Sequence, residues 1–287
     1  MNFCHLHVHT KYSILDGFGS PEKYVEHAKE LGMKSLAITD HGNVYGSYKF
    51  WKECNKQNIK PILGEEFYIV PNRNIKETRE MFHLILLAKN IQGFRNLCRL
   101  SSLGFTEGFY YKPRIDYEIL RQYKEGLICA SACMFGQVAQ LALNNKVDDS
   151  MKLNNWYVQL FGDDYYLEIM PHHDETQKSL NQYLLQLGTQ CVVTNDCHYI
   201  RKEDEKYQAY LLKVQTSSVG KISTFEFGIK DLYLKTREEV MGDLVGYHQI
   251  EQSVAEKLCD MTIEITNKIE NIEFDKLHKI PNFGGAL

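Results

Sequence analysis

Short apolar runs alternate with amphipathic stretches along most of the chain. Residues 3–8, 35–39, 59–68, 82–87, 127–130, 165–169 and 191–194 read as strands. Residues 21–31, 45–58, 91–103, 138–143, 151–160, 175–187 and 203–214 have helical spacing, and Ser20 followed by Pro21 is a helix-start pair. Strand followed by helix, repeated, argues for parallel strands joined by crossover helices. About seven such strands suit a closed or nearly closed barrel, with an open doubly wound sheet as the alternative. Past Ser217 the rhythm weakens: 236–242 and 249–267 read as helices, and 280–287 is rich in Pro and Gly.

Metal-type side chains cluster at the ends of the apolar runs. His5, His7 and His9 alternate along the first run, and strand geometry would send all three to one face. Asp40 and His41 follow the second run, Glu65 and Glu66 lie in the third, Cys133 follows 127–130, and Asp196 and His198 follow 191–194. His83 fits less well, because it opens its run. A single buried His is ordinarily a hydrogen-bonded core residue, Asp-His-Gly can be a plain turn, and a free Cys usually packs as a small apolar residue. The coincidence at five or more strand ends is what favours metal, since such ends converge on one mouth of an α/β barrel. Imidazole with carboxylate suits Zn, Mn, Fe or Ni, and a thiolate tilts the set toward Zn. There are too many candidates for one four-coordinate ion, so two or three ions sharing a carboxylate are expected.

Composition narrows the classes. The 287 residues are 44% apolar with a net charge of −4, which suits a soluble globular chain without a global basic field for nucleic acid. Eight scattered Cys without CxxC pairs, and a start without a secretory pattern, point to a reducing cytoplasm. No apolar run is long enough for a membrane span.

The motifs resemble those of a known family. His5-Leu6-His7-Val8-His9-Thr10 with Tyr12-Ser13 and Leu15-Asp16-Gly17 resembles the first motif of the PHP (polymerase and histidinol phosphatase) domain. Thr39-Asp40-His41-Gly42-Asn43 resembles the second; Gly64-Glu65-Glu66, Phe82-His83-Leu84, Ser131-Ala132-Cys133 and Thr194-Asn195-Asp196-Cys197-His198-Tyr199 resemble the rest. The stretches at 108–116 and 162–168 look like the version found in the alpha subunit of bacterial DNA polymerase III, and Lys279-Ile280-Pro281-Asn282-Phe283 resembles the join to a polymerase palm.

The resemblance implies an α/β fold, a distorted (β/α)7 TIM-like barrel spanning 1–270, followed by a tail, 271–287. It implies two or three divalent ions (Zn, Mn or Fe) held by His7, His9, Asp16, His41, Glu66, His83, Cys133, Asp196 and His198. Glu66 is preferred to Glu65 by the Gly-x-Glu spacing. A metal-held hydroxide would be the nucleophile, supported by Asp16, His41 and Asp196. His5, Arg114 and His172 are candidate phosphate contacts, with a fold-stabilising role for Arg114 the competing reading. Asp40 could orient His41 or a neighbour. His27, His173, His248 and His278 read as surface or helix-face residues; the tyrosine pairs 110–111 and 165–166 could stack bases, although with 18 Tyr in the chain packing explains most of them.

Three functions remain open. One is a metal-dependent phosphoesterase of the 3′–5′ exonuclease, proofreading type, with the 3′ end of DNA as partner. The second is a non-catalytic scaffold, split or excised from a replicative polymerase, that docks other polymerase subunits. The third is a phosphatase for a nucleotide or pyrophosphate. Polymerisation by this chain alone is not expected, because paired palm aspartates and basic nucleotide-binding residues are lacking.

Overall fold

The structure, a computed structural model, describes residues 2–219, 221, 223–224 and 228–274. The segment resembling a palm join, 279–283, and the tail beyond 274 therefore lie outside the described residues.

Seven strands make one curled sheet: β1 Ser35–Ile38, β2 Lys60–Val70, β3 Phe82–Ala88, β4 Arg114–Asp116, β5 Leu127–Ala130, β6 Tyr165–Ile169 and β7 Cys191–Val193. The order is β1-β2-β3-β5-β6-β7, with β4 beside the far end of β2. Helices α1 Pro21–Glu30, α2 Ser47–Gln57, α3 Ile91–Thr106, α4 Tyr117–Gln122, α5 Gln137–Leu143, α6 Val147–Phe161, α7 Glu175–Gln186, α8 Glu205–Thr216, α9 Arg237–Gly246 and α10 Gln252–Lys268 complete the architecture. Side chains cap some helix starts, as where Asn90 accepts from Gly93 N at 3.0 Å and Asp174 accepts from Gln177 N at 2.8 Å, whereas Ser20 ahead of α1 makes no side-chain cap bond.

Two expectations are corrected. Residues 3–8 are extended but form no regular ladder. Ala37 N donates to His5 O at 3.0 Å and Thr39 N to Val8 O at 2.9 Å, while Cys197 N donates to His7 O at 3.0 Å. The segment thus lies between β1 and the chain leaving β7 and closes the barrel through isolated bonds. The sheet is also not all parallel. β3 runs antiparallel to both β2 and β5. A hairpin-like reversal replaces one strand–helix–strand unit, and it puts the start of β3 at the mouth where parallel strands end.

Alternation along the strands separates two cores. Outward residues such as Leu36, Leu63, Phe67, Leu86, Cys129 and Leu167 pack against the helices. Inward residues such as Ala37, Ile62, Ile85, Ile128, Tyr166 and Val192 fill the barrel, and Ile265 and Ile269 of α10 join them. Lys60 Nζ donates to the Thr266 carbonyl at 2.7 Å, pinning the last turn of α10 at the start of β2. One end of the barrel is thereby stoppered with apolar side chains, and polar inward positions fall at the other. No helix among the described residues is long and apolar enough to cross a membrane.

Candidate metal centre

Glu66 is the hub. It continues the inward series of β2 after Ile62, and it is buried. Glu65 points outward, is equally buried, and is pushed well above the carboxylate range by burial. Around Glu66, His7 Nε2 lies 3.2 Å from Oε1, His83 Nδ1 3.0 Å from Oε1, and His9 Nε2 3.7 Å from Oε2, with His41 Nδ1 also against Oε2. Asp196 Oδ1 lies 3.1 Å from the Nε2 atoms of both His7 and His9. Asp16 contacts His41 Nε2 at 3.1 Å and His198 Nε2 at 3.6 Å. Cys133 Sγ is 3.7 Å from His83 Nδ1. All nine residues are in one contiguous cluster. His83 belongs because β3 is reversed.

His5 stands apart from His7 and His9. Cys4 and Leu6 face the barrel interior while Val8 faces the outer core. The alternation therefore slips once, at the bend around His7. Before the slip His5 points away from the cluster, with Nε2 2.9 Å from Lys235 O and Nδ1 3.4 Å from Cys197 Sγ. After it His7 and His9 both point in. Arg114 is buried too: Nε donates to Gly108 O at 2.9 Å, and Nη2 donates to Arg73 O at 3.1 Å and Ile75 O at 3.0 Å. It ties two loops together and is not presented to the mouth. His172 is buried with Nε2 3.1 Å from Asn195 O. None of these three is placed to meet a phosphate from solvent. His27, on a face of α1, and His248 are buried, and His278 lies outside the described residues.

Residues behind the cluster fix the ring orientations. Glu168 Oε2 is 2.8 Å from His7 Nδ1 and accepts from Thr194 Oγ1 at 2.6 Å, while its Oε1 accepts from Ala132 N at 2.9 Å. His7 thus carries its proton on Nδ1 and turns the Nε2 lone pair inward. Asp40 does the same for His9 through a hydroxyl. It accepts from Ser13 Oγ at 2.8 Å, from Thr10 N at 2.6 Å and from Thr10 Oγ1 at 2.9 Å. Since the Ser13 proton goes to Asp40, Ser13 Oγ accepts from His41 N at 3.1 Å and from His9 Nδ1 at 3.0 Å. His198 Nδ1 donates to Asp196 O at 2.8 Å, again leaving Nε2 to the centre. Glu168, Ser13 and Gln208, whose Nε2 donates to Asp16 Oδ1 at 3.3 Å, were not singled out from the sequence. For Glu168 a signal existed: it shares inward parity with Tyr166 in an otherwise apolar strand.

Asp196 and Ala132 hold φ values of 46° and 62°, the left-handed region that non-glycine residues avoid. Each sits where the chain turns off a strand end into the site. Gly42, at φ 62°, makes the corresponding turn after His41, and a Cβ there would come within 2.8 Å of Pro113 Cγ.

The electrostatics are those of a cavity rich in both signs. Burial disfavours the His7 cation, but Asp196 and Glu168 outweigh it and hold the imidazole well above its ordinary range; Nε2 is then also protonated until a dication displaces that proton and leaves the Nδ1 proton hydrogen-bonded to Glu168. Burial, helped by neighbouring His41 and His198, pushes His9 down to about 3. Burial works against the Asp16 carboxylate, yet His198 and His41 keep it well below the usual range. Burial also pushes the Cys133 thiol well up, with Asp196 and Glu66 adding to the effect; a dication in contact reverses that sign.

The donor set suits metal. Both Glu66 oxygens and Asp196 Oδ1 are buried and accept no hydrogen bond, although imidazole nitrogens lie beside them. Lone pairs converge on shared points between the side chains. Three triples have their ligand atoms within 4.8 Å of one another: His9, His41 and His198; His7, His9 and Glu66; His41, Glu66 and His83. The sharing of His9, His41 and Glu66 among them suits adjacent divalent ions better than one isolated ion.

A model of the PHP domain family matches residues 5–172. The DNA polymerase III subunit alpha of Deinococcus radiodurans is 40% identical over 255 residues, covering 83% of this chain and 19% of that protein. The protein of the same name from Borreliella burgdorferi is 38% identical over 285 residues, 93% of this chain and 24% of its own length. The chain thus spans about a fifth to a quarter of these curated relatives. Among solved structures, a two-domain protein from Bacteroides vulgatus with a predicted PHP-like metal-dependent phosphoesterase superposes with a TM-score of 0.44 at 15% identity, covering 83% of this chain and 61% of that one.

Proposed function

The chain belongs to the PHP domain family, and from that premise we propose that it is a metal-dependent phosphoesterase that removes nucleotides from the 3′ end of DNA. The observation that carries this reading is the cluster of eight further ligand-type side chains gathered around Glu66, oriented by Glu168 and by the Asp40–Ser13 pair. A polymer substrate is favoured by the relatives' name, and by a mouth lined with aromatic rings and a lysine.

His7, His9, Asp16, His41, Glu66, His83, Cys133, Asp196 and His198 would hold two or three ions. Divalent ions there supply Lewis acidity for phosphoryl oxygens and lower the pKa of water toward neutrality. The chain's own contribution is positional. Glu168 keeps the His7 proton on Nδ1, Ser13 keeps that of His9 on Nδ1, and Glu66 spans the cluster with two oxygens. Burial of these groups keeps bulk water from screening them. In the overall reaction water adds across the terminal phosphodiester. The P–O3′ bond breaks, a nucleoside 5′-monophosphate leaves, and the shortened strand keeps a 3′-hydroxyl.

The test is shortening of 5′-labelled single-stranded DNA by protein supplied with Mn²⁺ or Zn²⁺, against chelator and against Asp196→Asn. Stepwise loss of 3′ nucleotides that needs metal and disappears in the variant is expected. No shortening with any metal, by protein that demonstrably contains metal, would overturn the reading.

A further inference from the structure

Exposed aromatic rings are concentrated beside the metal-type cluster. Asp16 and His41 open onto a cleft of about 250 Å³ whose other walls include Tyr45, Phe105 and Lys112. Tyr45 is 60% exposed, Phe105 38% and Phe109 48%. The three form a ladder: Tyr45 and Phe105 lie with centroids 6.2 Å apart at 27°, and Phe105 and Phe109 6.2 Å apart at 18°. Nearly parallel rings in a row, each more than a third exposed, are a costly surface for a folded chain to leave uncovered. On the cluster side Tyr68 lies 6.2 Å from His41 at 25°, and Lys112 Nζ sits 5.3 Å from the Tyr68 ring. Lys112 makes no ion pair among the described residues. A cation without an ion-pair partner among the described residues, a ladder of flat apolar faces and a phosphoester-type centre therefore adjoin one cleft.

That combination matches one chemistry. A single strand offers flat bases at regular intervals and a phosphate at each step. Aromatic side chains stack on any base, and a lysine contributes a contact to the backbone. We propose that Tyr45, Phe105 and Phe109 are the stacking platform for the last bases of single-stranded DNA, and that Lys112 contacts the backbone phosphate as the terminal phosphodiester enters the cluster. This rests on the 3′-end reading above and names the part of the strand that is gripped. Duplex ends would have to fray to reach the platform, since paired bases hide the faces it needs.

The test compares two oligonucleotides of one sequence with the Mn²⁺-loaded protein: one carries normal bases to the 3′ end, and the other carries tetrahydrofuran residues in place of its last two bases. The wild type is expected to prefer the base-bearing end by about 10-fold in KM, within the range that stacking supplies. Tyr45→Ala with Phe105→Ala is expected to bring the two substrates within about twofold, while Tyr45→Phe keeps the preference. Lys112→Gln is expected to lower the salt dependence of binding by about one phosphate contact on both strands. A preference that survives the double substitution overturns the platform, as does a loss that falls equally on both oligonucleotides. If the wild type shortens neither strand, the exonuclease reading fails separately. Fluorescence anisotropy on the same two oligonucleotides then gives the preference ratio and decides the platform alone. Self-association lost in the double variant, with strand preference intact, would assign the ladder to protein contact and overturn the proposal.

Discussion

Glu168 Oε2 lies 2.8 Å from His7 Nδ1, and both side chains are completely removed from solvent. The carboxylate also takes the Ala132 N–H and the Thr194 hydroxyl, so it cannot swing away without leaving buried donors unmet. Through it three strand ends set one imidazole. Glu168→Gln keeps the shape but can present an amide N–H where His7 needs an acceptor. Metal affinity is expected to fall about 10- to 100-fold. Competition with a chelating indicator measures it, and an unchanged dissociation constant would show that His7 needs no such support.

Ser13 works at longer range, joining Asp40 to His9. In Ser13→Ala the His9 ring loses its acceptor and His41 N loses its partner. A thermal shift equivalent to about 1–2 kcal/mol is expected, with weakened metal binding. Ser13→Thr, which retains the hydroxyl, should recover part of both. Equal loss in the two variants would point to crowding near Thr10 instead of the hydrogen bond.

How far the site was legible in the sequence follows from parity. On β2, β3, β5, β6 and β7 a strict alternation holds, and it turns Glu66, the residue that the resemblance preferred to Glu65, inward with Ile62. On 3–9 one slip at the bend reverses His5 relative to His7 and His9, and sequence carries no mark of it. For Arg114 the sequence left phosphate contact and a fold-stabilising role open: a three-residue strand, β4, draws the guanidinium into the fold, and short parallel pairings depend on β2 at 68–70, far away in sequence. The reversal of β3 was hidden likewise, because apolar runs look the same in either direction. His83 was its one trace, a ligand-type residue at the wrong end of a run. Glu168 was readable as a polar inward position, and Ser13 only once His9 and Asp40 are seen in space.

Arg114 yields a prediction that separates folding from substrate contact. Its bonds to Gly108, Arg73 and Ile75 carbonyls hold the loops that precede α4 and follow β2. Arg114→Lys keeps the charge but cannot reach all three acceptors. Stability is expected to drop by about 3 kcal/mol, read from denaturant midpoints at constant m. At temperatures where the variant is folded, KM for an oligonucleotide should stay within about twofold. A KM raised tenfold with unchanged stability would return Arg114 to the substrate.

Acid should unfold the protein partly through histidines buried against backbone carbonyls. Burial lowers His172 from 6.5 to about 4, against the opposing pull of Asp196 and the Asn195 carbonyl, and burial likewise lowers His5 to about 4. A folded-state value below the unfolded one means that the unfolded chain takes up protons first. Stability is therefore full above the unfolded value near 6.5, falls as pH drops below it, and stops falling through these groups near 4. Each histidine contributes a slope of about 1.4 kcal/mol per pH unit, or about 3 kcal/mol across the window. In chelator, which removes any change due to metal release, His172→Gln should flatten the pH dependence of unfolding between pH 6.5 and 4 by about one proton. Urea midpoints at half-unit pH steps give the slope directly. A variant whose slope equals that of the wild type would mean that His172 takes up its proton equally in the folded and unfolded chains, contrary to its burial.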